Sequence, residues 1–161
     1  MSTIIENIRK YGLLVITVLL ANTIAASAET TFEKIKRNGE VTVGTEAAFP
    51  PFEFVEDGKI VGYGKDILDT IVADLGVELN QLDLPWQGIL PGVLAGKFDF
   101  VATSVTIKPD RATKYAFTVP IAEGTTWIMK RKGDTSVMTV EDMAGKVVGT
   151  QLASGNEAAS R

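Results

Sequence analysis

Along most of this chain, short apolar runs of strand type alternate with longer segments of helical period. The clearest helix covers residues 65–75, where Ile67, Leu68, Ile71, Val72 and Leu75 fall on one face and Gly76 supplies a stop. Ile89, Leu90, Val93 and Leu94 mark a second amphipathic helix, ended by Gly96. Between and before these lie three strand-like runs: residues 40–45 with Val41 and Val43, residues 77–84 bounded by Pro85, and residues 98–102. Thr30, with Glu33 three residues on, reads as a capping box that opens a short helix, and Asn38-Gly39 ends it. Glu56-Asp57-Gly58, between residues 52–55 and 59–63, is a hairpin signal.

Strands alternating with amphipathic helices predict a mostly parallel sheet covered on both faces. Right-handed crossovers then place the loops after Thr45, Leu84 and Ala102 along one sheet edge. In open α/β sheets that edge is where ligands bind. The three loops carry Glu46 and Phe49, then Trp86, then Thr103-Ser104-Val105-Thr106-Ile107-Lys108-Pro109-Asp110-Arg111. Pro50-Pro51 forbids helix and pins the path of Phe49 and Phe52.

Beyond residue 111 the pattern weakens. Residues 110–114 read as one helical turn and 115–119 as an extended piece ended by Pro120. Residues 125–130 and 146–150 read as strands, with a polar turn at Lys132-Gly133-Asp134. Thr139 is placed to cap a short helix stopped by Gly145, and Ser154-Gly155-Asn156 leads into a helix from Glu157. This order has the form of a second α/β lobe cut off early.

Composition narrows the chemistry. The 161 residues include no Cys and no His, which removes thiol and imidazole nucleophiles, imidazole bases and any zinc site built on sulfur or imidazole. Arg9 and Lys10, an apolar run over residues 13–21 and Ala26-Ser27-Ala28 have the three parts of a secretory signal peptide. The run is short for a membrane span, which needs about 20 apolar residues; an uncleaved anchor is the alternative. With residues 1–28 set aside, the remainder is slightly more acidic than the whole chain's net −4, and no basic stripe offers itself to nucleic acid.

Three hydroxyls, backbone N–H groups and one guanidinium in the 103–111 loop make a receptor suited to a carboxylate, since Arg presents a planar fork of donors. The alternative is a polar loop whose Arg111 pairs with a nearby acid. Phe49 and Trp86 have the alternative of ordinary core aromatics, and Glu46 that of a solvated acid or a partner of Arg111. Asp66, Asp69, Lys108 and Lys114 read as solvated charges.

With these pieces in place the chain resembles the extracellular solute-binding proteins of polar amino-acid ABC transporters, family 3. The landmarks are Val43-Gly44-Thr45-Glu46 with Phe49-Pro50-Pro51-Phe52, Gly62-Tyr63-Gly64-Lys65-Asp66-Ile67, and Trp86 with Gly88-Ile89-Leu90-Pro91. They continue through Gly96-Lys97-Phe98-Asp99, residues 103–111 and Gly145-Lys146-Val147-Val148-Gly149. The resemblance implies a type II periplasmic-binding-protein fold, two hinged α/β lobes, with the second truncated here. The expected division is a signal peptide at 1–28, a first lobe at 29–122 lacking its return segment, and a hinge crossover with the start of the second lobe at 123–161.

The resemblance further implies a periplasmic, monomeric protein that closes on one polar or cationic amino acid and delivers it to a membrane permease, without catalysis, cofactor or metal. On that pattern Arg111 grips the α-carboxylate with help from Thr103, Ser104 and Thr106. Phe49 and Trp86 sandwich the ligand side chain, Glu46 faces a cationic group, and Gln151 and Ser154 complete the pocket. Residues 122–126 are the hinge candidates. Gly64 departs from the pattern where an acid usually begins the long helix, and is expected to act as its cap; Gly155 replaces a common hydroxyl residue. The alternatives are a dehydratase-like enzyme on the same scaffold, with Glu46 as its acid/base, or the sensing domain of a membrane receptor.

Overall fold

A computed structural model describes residues 28–161, so the signal-peptide segment lies outside the described residues except for its last position. The chain divides into two units after Lys34. In the described part of the first, Thr30 and Glu33 form the expected reciprocal box: the Glu33 N–H donates to Thr30 Oγ1 at 3.2 Å and the Thr30 N–H to Glu33 Oε2 at 2.8 Å. These bonds hold the Glu33 carboxyl below its usual range. The helix they open, α1, runs Thr31–Asn38. Gly39 follows at φ 69°, its N–H on the Ile35 carbonyl.

In the second unit, β1 (Glu40–Thr45) is flanked by β5 (Glu78–Asp83) and β6 (Phe100–Val101), all parallel, in the order β5-β1-β6. As the central strand, β1 is covered on both faces and reads as a nearly continuous buried run. Val41 and Val43, fully buried, pack with Ile35 of α1 and with Leu68 and Val72 of α2 (Tyr63–Leu75). The opposite face is closed by Phe98 and by α3 (Trp86–Leu94), whose buried positions Trp86, Ile89 and Gly92 recur at helical spacing.

The Asp-Gly hairpin forms as predicted. Strand β3 (Glu53–Glu56) pairs antiparallel with β4 (Lys59–Val61) through Asp57 and Gly58 at φ 50° and 74°, the paired positive angles of a type I′ turn. The two-residue β2 (Ala48–Phe49) adds to the other side of β3, after which Pro50-Pro51 is cis. Helix α2 starts two residues earlier than the periodicity indicates. Gly62 is its N-cap, so Gly64 lies inside the first turn and is not the cap; Gly76 ends the helix in the left-handed conformation.

Past residue 102 the expectations hold only in part. The predicted turn is α4 (Pro109–Ala112), the polar turn closes with the Asp134 N–H on the Arg131 carbonyl, and α5 (Gly155–Ala159) begins two residues before Glu157. Near Thr139 there is only a 3-10 turn, Glu141–Met143. The Asp142 carboxylate takes the N–H groups of Met138 and Thr139, which places the turn one residue later than a Thr139 cap would. The strands expected at 125–130 and 146–150 do not form, and residues 115–119 join no sheet. A strand exists by pairing, and these segments find no ladder partner among the described residues. Their apolar side chains, including Val119, Trp127, Met129 and Val147, are exposed. No helix of the described residues is long and apolar enough to cross a membrane.

One contact fixes how closely the helical layer approaches β1. The Phe98 ring, 4% exposed, fits between Gly44 of β1 and Gly92 of α3, and a Cβ on either glycine would stand 2.6 Å from the ring. Alanine at position 92 would ordinarily favour a helix by about 0.5–1 kcal/mol. Here overpacking should dominate, and Gly92→Ala and Gly44→Ala should each destabilise by about 1–3 kcal/mol. Urea unfolding checks this; a higher midpoint for Gly92→Ala would contradict the wedge.

Candidate functional site

The C-terminal ends of β5, β1 and β6 lie side by side, and side chains lock them there. Buried Thr45 donates its hydroxyl to the Ala102 carbonyl at 2.9 Å and accepts from Gln81 Nε2 at 2.9 Å, so one residue ties all three strand ends. Asp83 Oδ1 accepts the Ala47 N–H at 2.9 Å, turning the chain after β1 toward β5. The three loops named from the sequence therefore leave one edge together.

Arg111 and Trp86 form one unit. Pro85 acts as N-cap and α3 starts at once, so Trp86 is the first helical residue, buried, instead of part of the connection before the helix. The Arg111 guanidinium sits over its ring, 5.3 Å from the centroid, in cation–π geometry. Arg111 is only 9% exposed, and its Nη1 donates to the Thr106 carbonyl at 3.1 Å. That is the guanidinium's only hydrogen bond among the described residues, and no acid there pairs with it. A guanidinium has five N–H donors in a fixed fork, so most remain for a ligand.

Glu46 is half-buried and does not pair with Arg111; its Oε1 accepts from Gln151 Nε2 at 2.7 Å. The indole N–H of Trp86 donates to the Ala153 carbonyl at 3.0 Å, bringing the 151–155 loop against the same edge. Ser154 caps α5, its hydroxyl accepting the Glu157 N–H at 3.2 Å. Lys108, read from the sequence as solvated, reaches the Gly155 carbonyl at 3.1 Å, through space that any side chain at 155 would fill. Phe49 is 48% exposed and stacks on Phe52, ring centroids 5.3 Å apart.

Thr103 and Ser104 are engaged inward. Ser104 gives its N–H at 3.1 Å and its hydroxyl at 2.8 Å to the carboxylate of Glu53, and Thr103 Oγ1 lies 3.4 Å from the same group. Thr106 is exposed on the surface of the loop. Glu53, 2% exposed on β3, is a buried acid behind these loops that the sequence reading did not single out. Burial pushes its carboxyl above the usual range, against the lowering effect of the Ser104 and Thr103 hydrogen bonds. The sequence carries no local signal for this: between Phe52 and Phe54, alternation would turn Glu53 outward, and the burial of β3 does not alternate.

The structure thus gathers Arg111 with Trp86 and Thr106, and Glu46 with Gln151, around the 151–155 loop. A cavity of about 490 Å³ beside them is lined by Arg111, Ser154, Lys108 and Tyr115, among others; Glu46, Phe49, Trp86, Thr103, Ser104, Thr106 and Gln151 do not line it. Its size is that of a small-molecule site. Among the described residues no cluster of acids is arranged to hold a metal ion.

Residues 41–158 match the family of bacterial extracellular solute-binding proteins, family 3. Similar proteins include the L-cystine-binding protein TcyJ of Escherichia coli (strain K12), 32% identical over 126 residues, which cover 77% of this chain and 47% of that protein. A probable histidine-binding protein of Campylobacter jejuni is 30% identical over 110 residues, 68% of this chain and 43% of that one. Among solved structures, an ancestral arginine-binding protein bound to glutamine superposes with TM-score 0.71 at 38% identity, over 76% of this chain and 55% of its own. The P235GK mutant of ArgBP from T. maritima gives TM-score 0.70 at 31% identity, over 81% and 58%. The chain spans about half the length of the curated relatives it matches. The parallel β5-β1-β6 sheet and its helices are those of a type II periplasmic binding protein, and the chain belongs to the bacterial extracellular solute-binding proteins, family 3.

Proposed function

We propose that this chain supplies the carboxylate-gripping half of a periplasmic binding protein that captures a polar or cationic amino acid and hands it to an ABC-transporter permease. The observation that carries this reading is Arg111: largely buried, its guanidinium placed over the Trp86 ring, bonded only to the Thr106 carbonyl, and paired with no acid among the described residues. A buried cation without a counter-ion favours an anionic ligand, and the α-carboxylate presents two oxygens to its fork. Exposed Thr106 adds a hydroxyl at the mouth of the same loop.

Glu46 sets the ligand's other end. Gln151 occupies one carboxylate oxygen, which orients the group and leaves the second for an ammonium or guanidinium. Phe49 and Trp86 supply the apolar walls, and Ser154 the rim of the 151–155 loop. Relatives and solved neighbours are named for binding cystine, histidine and arginine, which fits a site reading a carboxylate and a polar side chain. Closure would bend residues 122–126, which join a first lobe at 29–122 to residues 123–161. Ligand would stabilise the closed form because only there do both sides touch it. Export through a cleaved signal peptide at 1–28 and a monomeric state complete the reading.

A thermal-shift screen of the twenty amino acids should show the largest stabilisation with L-arginine, L-lysine, L-histidine or L-glutamine. Against the best of these, Arg111→Ala should weaken binding by about a hundredfold or more by calorimetry, since two charge-assisted hydrogen bonds of about 1.5–3 kcal/mol each are lost. Unchanged affinity would remove Arg111 from the site. Glu46→Gln should lower affinity for the cationic amino acids by about tenfold and leave L-glutamine nearly unaffected. An equal loss for both would assign Glu46 a scaffolding role.

A further inference from the structure

A buried acid lies behind the loop that leads to Arg111. Glu53 is 2% exposed and no cation is paired with it among the described residues. Its carboxylate is met by Ser104 twice, through N–H and hydroxyl, and more distantly by Thr103. Of the strands that flank β3, β2 carries no charged residue and β4 only Lys59, exposed beside the turn. On the first turn of α2, Lys65 is engaged by Asp69, and Asp66 is exposed. The 103–106 loop carries no charged residue, and Glu46, beyond β1, is bound to Gln151. A carboxylate kept in such a place without a counter-ion is costly, so the bonds it makes must be strong and specific.

Room for it is made at one position. Gly64, inside the first turn of α2, lies so close that any Cβ there would collide with Glu53 Oε1. Its backbone is ordinary helix, so conformational freedom is not the reason for glycine. The space is reserved for the carboxylate. The first turn of a helix is also where a negative charge is least unfavourable.

We propose that Glu53 is the positioning residue of the binding loop: its carboxylate holds Ser104 and so sets the path of residues 103–106 that presents the Thr106 carbonyl to Arg111. This rests on the carboxylate-binding reading of Arg111, but the tether itself is measurable without ligand. Because the two bonds from Ser104 are strongest to the ionised group, the loop should be held tightly above the titration of Glu53 and loosened below it. Protonation of Glu53 is favoured by burial, so this transition should lie above the usual carboxylate range.

The test is NMR on the full chain, with the Ser104 amide as reporter. In the wild type that amide should resonate downfield, exchange slowly, and titrate with the Glu53 carboxyl carbon. Glu53→Ala should accelerate its exchange by about tenfold or more, the loss of one charge-assisted bond. Glu53→Gln should keep the amide protected and abolish its titration, which a general loss of packing would not do. Gly64→Ala offers a route that leaves Glu53 in place: displacing the carboxylate should move the Ser104 amide in the same direction as Glu53→Ala. An amide that neither titrates in the wild type nor responds to any of the three substitutions overturns the proposal. With L-arginine as probe, Glu53→Ala should bind about tenfold more weakly and Glu53→Gln close to wild type; a Glu53→Ala affinity equal to wild type also overturns it. Should the wild type bind no amino acid while the Ser104 responses appear as stated, the tether stands and the carboxylate reading of Arg111 fails alone.

Discussion

Everything at the binding edge depends on three parallel strand ends being held in line, and Thr45 is the residue that holds them. A threonine side chain at zero exposure must satisfy its hydroxyl, and this one does so across both neighbours at once, on the Ala102 carbonyl and the Gln81 amide. If either partner shifted, a buried polar group would be orphaned, so the register of β1 against β5 and β6 is fixed where the loops depart. The Phe98 wedge between two glycines acts on the other face and sets the distance of α3 from the sheet. Trp86, at the start of that helix, is thereby placed under the guanidinium of Arg111.

What could be read from the sequence follows from how local each cause is. The hairpin was legible because Asp57 and Gly58 adopt positive φ as a property of those two residues. Helix α2 was legible because its apolar face repeats within one segment, and its stop at Gly76 is equally local. Parallel order followed from alternation of periods, and with it the convergence of Glu46, Trp86 and Arg111. The strands expected at 125–130 and 146–150 failed for the opposite reason. Apolar alternation states a preference, but a strand forms only when a distant segment offers its own edge.

Glu53 illustrates the same limit at the site. Between two phenylalanines it looks like an ordinary hairpin acid, and nothing nearby explains it. Its justification lies 51 positions along the chain at Ser104, and in the missing side chain of Gly64. Gly64 departs from the family pattern, yet a cap is the only use that its own segment offers for it. Burial of a charge cannot be inferred from one segment when its partners sit on two others. The same holds for Lys108, whose reach to Gly155 spans 47 positions.

The chain has two tryptophans in very different settings. Trp127 is 81% exposed, whereas Trp86 is buried beneath Arg111 and bonded through its indole N–H to Ala153. The two emit from different surroundings: a soluble quencher silences the first and spares the second. What remains is the fluorescence of a single indole seated under the guanidinium, so the molecule carries its own optical reporter at the proposed ligand site.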